Sequence, residues 1–103
     1  MRQFDVYRNP SERSRAYAPY VVVLQSHLLE AMPTIVVAPM LLAENRKPYT
    51  RVRALVSFLG DQHIVSTAEL VATDAKRLAT LVGDLRDQED EIRRALERLF
   101  TGF

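Results

Sequence analysis

Hydrophobic periodicity changes once along this chain of 103 residues. A two-residue alternation governs roughly the first two-thirds, and a helical repeat takes over near the end. That single change confines the fold to a set of strands followed by a helix that can cover one face of their sheet. Phe4 and Val6 alternate with Gln3, Asp5 and Tyr7, which predicts a short half-buried strand. Asn9, Pro10 and Ser11 open a polar loop that continues through Glu12 to Arg15 and up to Pro19. Residues 20–25 are almost continuously apolar, the pattern of a strand buried on both faces. Residues 27–32 read either as a helical turn or as a hydrophobic loop ending at Pro33. Residues 34–42 are rich in β-branched side chains but contain Pro39, so this strand is expected to be bent, bulged or at an edge there.

Asn45 and Pro48 mark residues 44–50 as a loop. Residues 51–59 then alternate cleanly, with Val52, Ala54, Val56 and Phe58 on one face. Gly60 and Asp61 are read as a tight hairpin turn, and residues 63–72 as the partner strand. Residues 74–82 fit a short helix or a last strand equally well. The final helix is expected over about residues 86–101, with Asp84 or Asp87 as its cap and Glu89, Asp90 and Glu91 in its first turns. Glu89–Arg93 and Asp90–Arg94 are the expected pairs along it, Ile92, Ala95, Leu96, Leu99 and Phe100 form its apolar stripe, and Gly102 stops it. The predicted architecture is mainly β, about five strands followed by a C-terminal α-helix, in one domain over residues 1–103.

Cysteine is absent, which excludes disulfides, thiolate metal sites and thiol catalysis and fits a reducing compartment. A net charge of +1 argues against a protein held on nucleic acid by bulk charge. No apolar run reaches the ~20 residues of a membrane span, and the first ten residues lack the apolar core of a signal peptide, so a soluble, cytoplasmic protein is expected. Enzyme chemistry finds little support. His27 and His63 have no metal-ligand spacing, and lone histidines are more often structural. Gly60, Gly83 and Gly102 lie too far apart for a phosphate loop, and the acids of residues 87–91 fit a solvated first helical turn better than a cation site. No cofactor is implied.

Two basic clusters stand out. Arg46, Lys47, Arg51 and Arg53 surround Tyr49 with no acid among them, a pattern that could hold phosphates and a stacked base but, given the near-neutral whole chain, reads better as a solvated loop and strand face. Arg8, Arg13 and Arg15 lie among Tyr7, Tyr17 and Tyr20, residue types favoured at protein interfaces. The end of the chain is the third feature: Phe100 and Phe103 flank Thr101 and Gly102 where termini are usually polar. Phe100 is assigned to core or dimer packing by its place on the stripe. Phe103, off that stripe, is assigned to a partner contact.

Taken in order, these stretches resemble the CcdB family of bacterial toxins. The resemblance is carried by residues 3–7, the polar loop 11–15, residues 21–29 around Gln25 and Ser26, Val36 to Met40 with Pro39, Leu59-Gly60-Asp61, Asp84-Leu85, residues 90–96 and Phe100 to Phe103 at the chain end. It implies a small SH3-like antiparallel barrel or sheet with a C-terminal helix, and a homodimer that binds the DNA gyrase A subunit and traps it on cleaved DNA. It implies neutralisation by a CcdA-like antitoxin, a role such as plasmid maintenance, no membrane, and DNA only indirectly through gyrase and antitoxin. Carried over by position, the gyrase contact falls on Ser26, Leu28, Leu29, Glu97, Phe100, Thr101, Gly102 and Phe103. The antitoxin contact falls on Tyr7, Arg8, Arg13, Arg15, Arg46, Arg51 and Arg53. Well-known members end in tryptophan–glycine–isoleucine, whereas this chain has no tryptophan and ends Thr101-Gly102-Phe103, with Glu97 where the family has an uncharged amide. The alternatives are an endoribonuclease of the MazF type, which shares the barrel and would use the Arg46–Arg53 segment, and a homologue that binds antitoxin but has lost or changed its target.

Overall fold

A computed structural model describes residues 1–29, 31–43 and 52–102. Among these are β1 (Asp5–Arg8), β2 (Tyr20–Val23), β3 (Thr34–Leu42), β4 (Arg53–Phe58), β5 (Asp61–Ser66), β6 (Val71–Asp74), β7 (Leu81–Asp84) and the helix α1 (Glu89–Thr101). All strand pairs are antiparallel, and the sheet runs β4-β5-β3-β2-β1-β7, with β6 added along β3. The expected mainly-β chain with a C-terminal helix is therefore present. The loop expected at residues 44–50 lies outside the described residues.

The strand β3 organises this sheet. Its Val37 to Met40 pair with β2, while along its other edge Thr34 to Val37 pair with β6 and Met40 to Leu42 with β5. Pro39, which has no N–H to give a ladder, sits where β6 hands over to β5. The irregularity expected at Pro39 thus takes the form of a change of partner.

Seven strands replace the expected five because two 3₁₀ turns divide residues 63–82. At the first, Thr67–Glu69, the buried Thr67 hydroxyl donates to the Val52 carbonyl and the Leu70 N–H donates back to Thr67 O (3.1 Å), which ends the strand at Ser66. At the second, Ala75–Arg77, the Asp74 carboxylate accepts the Lys76 N–H (2.9 Å) and turns the chain away from β6. The segment 74–82 is therefore a turn followed by β7, rather than one helix or one strand.

Burial on both faces, expected for β2, is observed. Val22 packs with Phe4, Val6, Ala38, Met40, Val56, Phe58, Val65 and Leu85 under α1, whose Ile92 and Ala95 complete that core. Val21 and Val23 face the other way, with Tyr7, Ile35, Val37 and Leu78. The helix is fastened at its start: the Gln88 amide donates to Ser57 O (2.7 Å) and accepts the Ser57 N–H (2.8 Å). Before it, a 3₁₀ turn over Arg86–Gln88 takes the positions expected to be helical, begun by Asp84 accepting the Arg86 N–H (3.0 Å). Arg86 also pairs with the buried carboxylate of Asp5 (3.0 Å), tying the last elements to the first strand. On the helix surface Glu89 pairs with Arg93 as expected (3.6 Å). Arg94, however, turns to Glu91 (3.2 Å) rather than Asp90, three residues back being as near as four.

The β4–β5 hairpin turns on Leu59 and Gly60, not on Gly60 and Asp61, since Phe58 and Asp61 already pair. Both turn residues have positive φ (51° and 84°), the geometry whose twist matches the strands and that favours asparagine–glycine. Leu59 is 63% exposed, so its side chain repays little of that backbone cost. Leu59→Asn is expected to raise the unfolding free energy by about 1 kcal/mol, read as a shift of the urea midpoint at unchanged slope.

Candidate functional site

Two surfaces carry the residues singled out by sequence. The first is the end of α1 together with the turn after β2. At roughly 100° per residue, Phe100 lies about 80° round the helix from Ile92. It stands at the margin of the apolar stripe, and its side chain is 71% exposed. Of the two packing roles expected for Phe100, core or dimer, the core role is not observed: Ile92 and Ala95 fill the core, and the ring of Phe100 projects from the last turn. Glu97 and Thr101 are exposed beside it, and the Thr101 hydroxyl donates to the Glu97 carbonyl (2.5 Å). Gly102 adopts the left-handed conformation (φ 79°) and gives its N–H to Arg98 O (2.9 Å), closing the helix as expected.

The turn after β2 is a 3₁₀ turn over His27–Leu29. Ser26 starts it by accepting the Leu28 N–H on its hydroxyl (3.2 Å), and Leu28 is 83% exposed. A short relay connects the two parts: Arg93 donates to Gln3 (3.5 Å), and Gln3 donates to Leu24 O (3.0 Å), two residues before Ser26. The Arg93 guanidinium also stacks 5.1 Å above the ring of Phe4. The fold thus presents Leu28 and Phe100 to solvent on elements braced to one another. Phe103 lies outside the described residues.

The second surface is the loop between β1 and β2. Arg8 and Arg13 are exposed, and Arg15 folds back, donating Nε to Asn9 O (2.7 Å) and Nη2 to Pro10 O (3.4 Å). Asn9 anchors the loop from beneath, donating to Ser14 Oγ and Ala18 O (both 2.8 Å) and accepting the Ser11 N–H (2.9 Å). Tyr7 does not join this surface. Strand alternation turns it inward, and it is 8% exposed in the second core cluster. Arg53 is half-buried at the start of β4, whereas Arg46 and Arg51 lie outside the described residues. Arg77 and Thr80 were not singled out by sequence. The turn and strand after β6 bring them beside Arg8 and Arg15, and no local spacing announces that meeting.

The histidines stay apart in role. His63 is buried, edge-on to Tyr20 (5.7 Å) and Phe58 (6.2 Å), while His27 opens the exposed turn. Among the described residues no three histidine or acidic side chains converge on a common point, and no helix is long and apolar enough to cross a membrane.

Two stability measurements check these placements. Phe100→Ala is expected to change the unfolding free energy by less than about 0.5 kcal/mol, against roughly 2–5 kcal/mol for Ile92→Ala, in paired urea melts. Burial, and then the nearby Asp5 carboxylate, raise the Tyr7 phenol above its ordinary value of 10.0. The folded state therefore holds that proton longer than the unfolded chain. The resulting stability is complete below the ordinary value and is lost as the pH climbs through the folded one. Tyr7→Phe should flatten the alkaline fall of stability, measured by denaturation from neutral pH upward.

The family model described as CcdB protein matches residues 3–102. Among solved structures, the Mycobacterium tuberculosis toxin MazF-mt6 is similar, with a TM-score of 0.71 and 17% identity over 96% of each chain, a likeness of fold. Among curated proteins no sequence matches significantly.

Proposed function

Because this chain belongs to the CcdB family, toxins of toxin–antitoxin systems, we propose that it acts by binding, as a cytoplasmic homodimer that engages the DNA gyrase A subunit and traps it on cleaved DNA. A CcdA-like antitoxin neutralises it, and the protein performs no catalysis of its own. The observation that carries this reading is the exposed ring of Phe100 in the last turn of α1, with Leu28 exposed on the neighbouring braced turn. Burying an exposed phenylalanine on a partner is worth about 2 kcal/mol, and aromatic anchors of this kind dominate interface energies. Ser26, Glu97, Thr101 and Gly102 surround these anchors as polar or small neighbours, and Leu29 and Phe103 belong to the same two chain segments. Arg8, Arg13, Arg15 and Arg53, with Arg46 and Arg51, are proposed to meet the antitoxin.

The test is expression without antitoxin in cells carrying a plasmid. Growth should arrest and plasmid should convert to cleaved gyrase complexes, with Phe100→Ala weakening affinity for the purified gyrase A subunit at least ten-fold. Normal growth with intact plasmid at high expression overturns the poisoning reading and leaves the fold untouched.

A second reading is favoured by the fold shared with toxin MazF-mt6: an endoribonuclease that uses the basic segment ending at Arg53. Incubation with RNA decides it. Cleavage that disappears in Arg53→Ala supports the ribonuclease, and uncut RNA removes it.

A further inference from the structure

Two hollows share a wall at the end of the sheet where β1 finishes and β2 and β7 begin. One, a notch of about 210 Å³, is lined by Arg8, Arg15, Arg77 and Thr80 with Asn9 and Pro10. The other, of about 370 Å³, takes Arg8, Arg15 and Thr80 as its own wall and adds Pro19, Tyr20 and Val82. Joined across that wall, they form one cleft with a basic lobe and an aromatic, apolar lobe. Small-molecule sites occupy roughly 300–1,000 Å³, a size the two lobes reach together. The notch also opens onto a further groove of about 260 Å³, which shares Arg77 with it and meets Glu69 at the other end of β6.

Arg8, Arg15 and Arg77 come from three separate elements, and no carboxylate lines either lobe. Arg8 ends β1, its backbone N–H bonded to Thr80 O (3.0 Å). Arg15 is half-buried and oriented by its bonds to Asn9 O and Pro10 O, and Arg77 closes the turn after β6. Among the described residues none of the three forms an ion pair, whereas Arg86, Arg93 and Arg94 all do. Like charges gathered without a counter-charge repel one another, and an incoming phosphate relieves that repulsion while taking charge-assisted hydrogen bonds. In the other lobe Tyr20 stands directly opposite Arg8 in the β1–β2 ladder, so the two side chains leave the same face. Its half-buried ring is pinned edge-on by Phe58 (5.3 Å) and His63 (5.7 Å), a stacking platform ordered before any ligand arrives.

We propose that this cleft binds a nucleoside phosphate, its phosphoryl group among Arg8, Arg15 and Arg77 and its base against Tyr20, with Pro19 and Val82 beside it. A free nucleotide and the end of an RNA chain offer the same chemistry. The cleft favours the free nucleotide, because a longer strand leaving the notch along the groove runs toward Glu69, whose charge repels its next phosphates. Neither the gyrase reading nor the antitoxin reading is needed for this site, and its test contains neither partner.

The test titrates the isotope-labelled full chain with adenosine 5′-monophosphate. Amide shifts are expected at Arg8, Arg15, Tyr20, Arg77, Thr80 and Val82. Adenosine and inorganic phosphate, each offering one half of the ligand, should bind at least ten-fold more weakly. Arg77→Glu should lower the affinity at least ten-fold. Lys76→Glu, the same change of charge at an exposed neighbour that lines neither lobe, should alter it less than two-fold. Arg77 is exposed, so its variant should keep the parent's spectrum elsewhere, which serves as the folding control. Absence of shifts at the cleft with millimolar nucleotide, or equal losses in Arg77→Glu and Lys76→Glu, overturns the inference. Inorganic phosphate binding as tightly as the nucleotide overturns it too, leaving a bare anion site. Tighter binding of an eight-adenosine RNA also overturns it and gives the cleft to a nucleic-acid strand.

Discussion

Everything in this fold is hung on β3, whose backbone is hydrogen-bonded along both edges while its side chains are buried on both faces. The nine-residue strand Thr34–Leu42 must satisfy its outer edge with two different partners, and it does so by changing from β6 to β5 at Pro39. Burying an unpaired backbone group costs more than a hydrogen bond gains, so a proline belongs at that junction, where the ladder is already interrupted. The two faces of the strand also part company. On one, Ala38 and Met40 join the core under α1; on the other, Val37, Pro39 and Leu41, with Val21, floor an open groove. The helix-covered core and the open groove are the two faces of one strand.

That division gives the two proposed partner surfaces separate physical characters. The helix end offers isolated large apolar side chains, Phe100 and Leu28, on elements braced through Arg93, Gln3 and Leu24. The loop side offers a groove with a charged end. A protein that must engage a target and also be restrained by an inhibitor is served by two surfaces with different chemistry, because each partner then selects its own. The CcdB family membership and the MazF-like fold are consistent with such a scaffold, in which loops and termini carry the differences in binding.

Much of the sheet was legible in the residues because burial on one face leaves a period of two. Ala54, Val56 and Phe58 turn inward as their alternation demands, and Val21, Val22 and Val23 divide between two cores as an uninterrupted apolar run suggests. The stops at Ser66 and Asp74 were not legible. They depend on Thr67 reaching Val52 and on Asp74 capping its own turn, bonds that leave the apolar pattern of 63–72 unchanged. Residue types point to a hairpin turn one position too late, because a leucine at positive φ violates the usual turn chemistry. The helix end was legible from Gly102, whereas the exposure of Phe100 depends on where the sheet beneath it ends. The notch formed by Arg8, Arg15 and Arg77 had no local signature, since it joins residues from distant parts of the chain.

The double bond between Gln88 and Ser57 has a consequence beyond holding the helix. β4 ends one side of the sheet, and the free N–H and C=O of such an edge strand are a template on which another chain can build. The Gln88 amide sets one of its N–H donors and its carbonyl side by side in one plane, so it fills the outer edge at Ser57 much as a neighbouring strand would. A foreign strand arriving there must first displace a side chain held close by its own helix. On the β4 side the sheet therefore ends in a built-in stopper, which discourages growth into larger β assemblies at that edge.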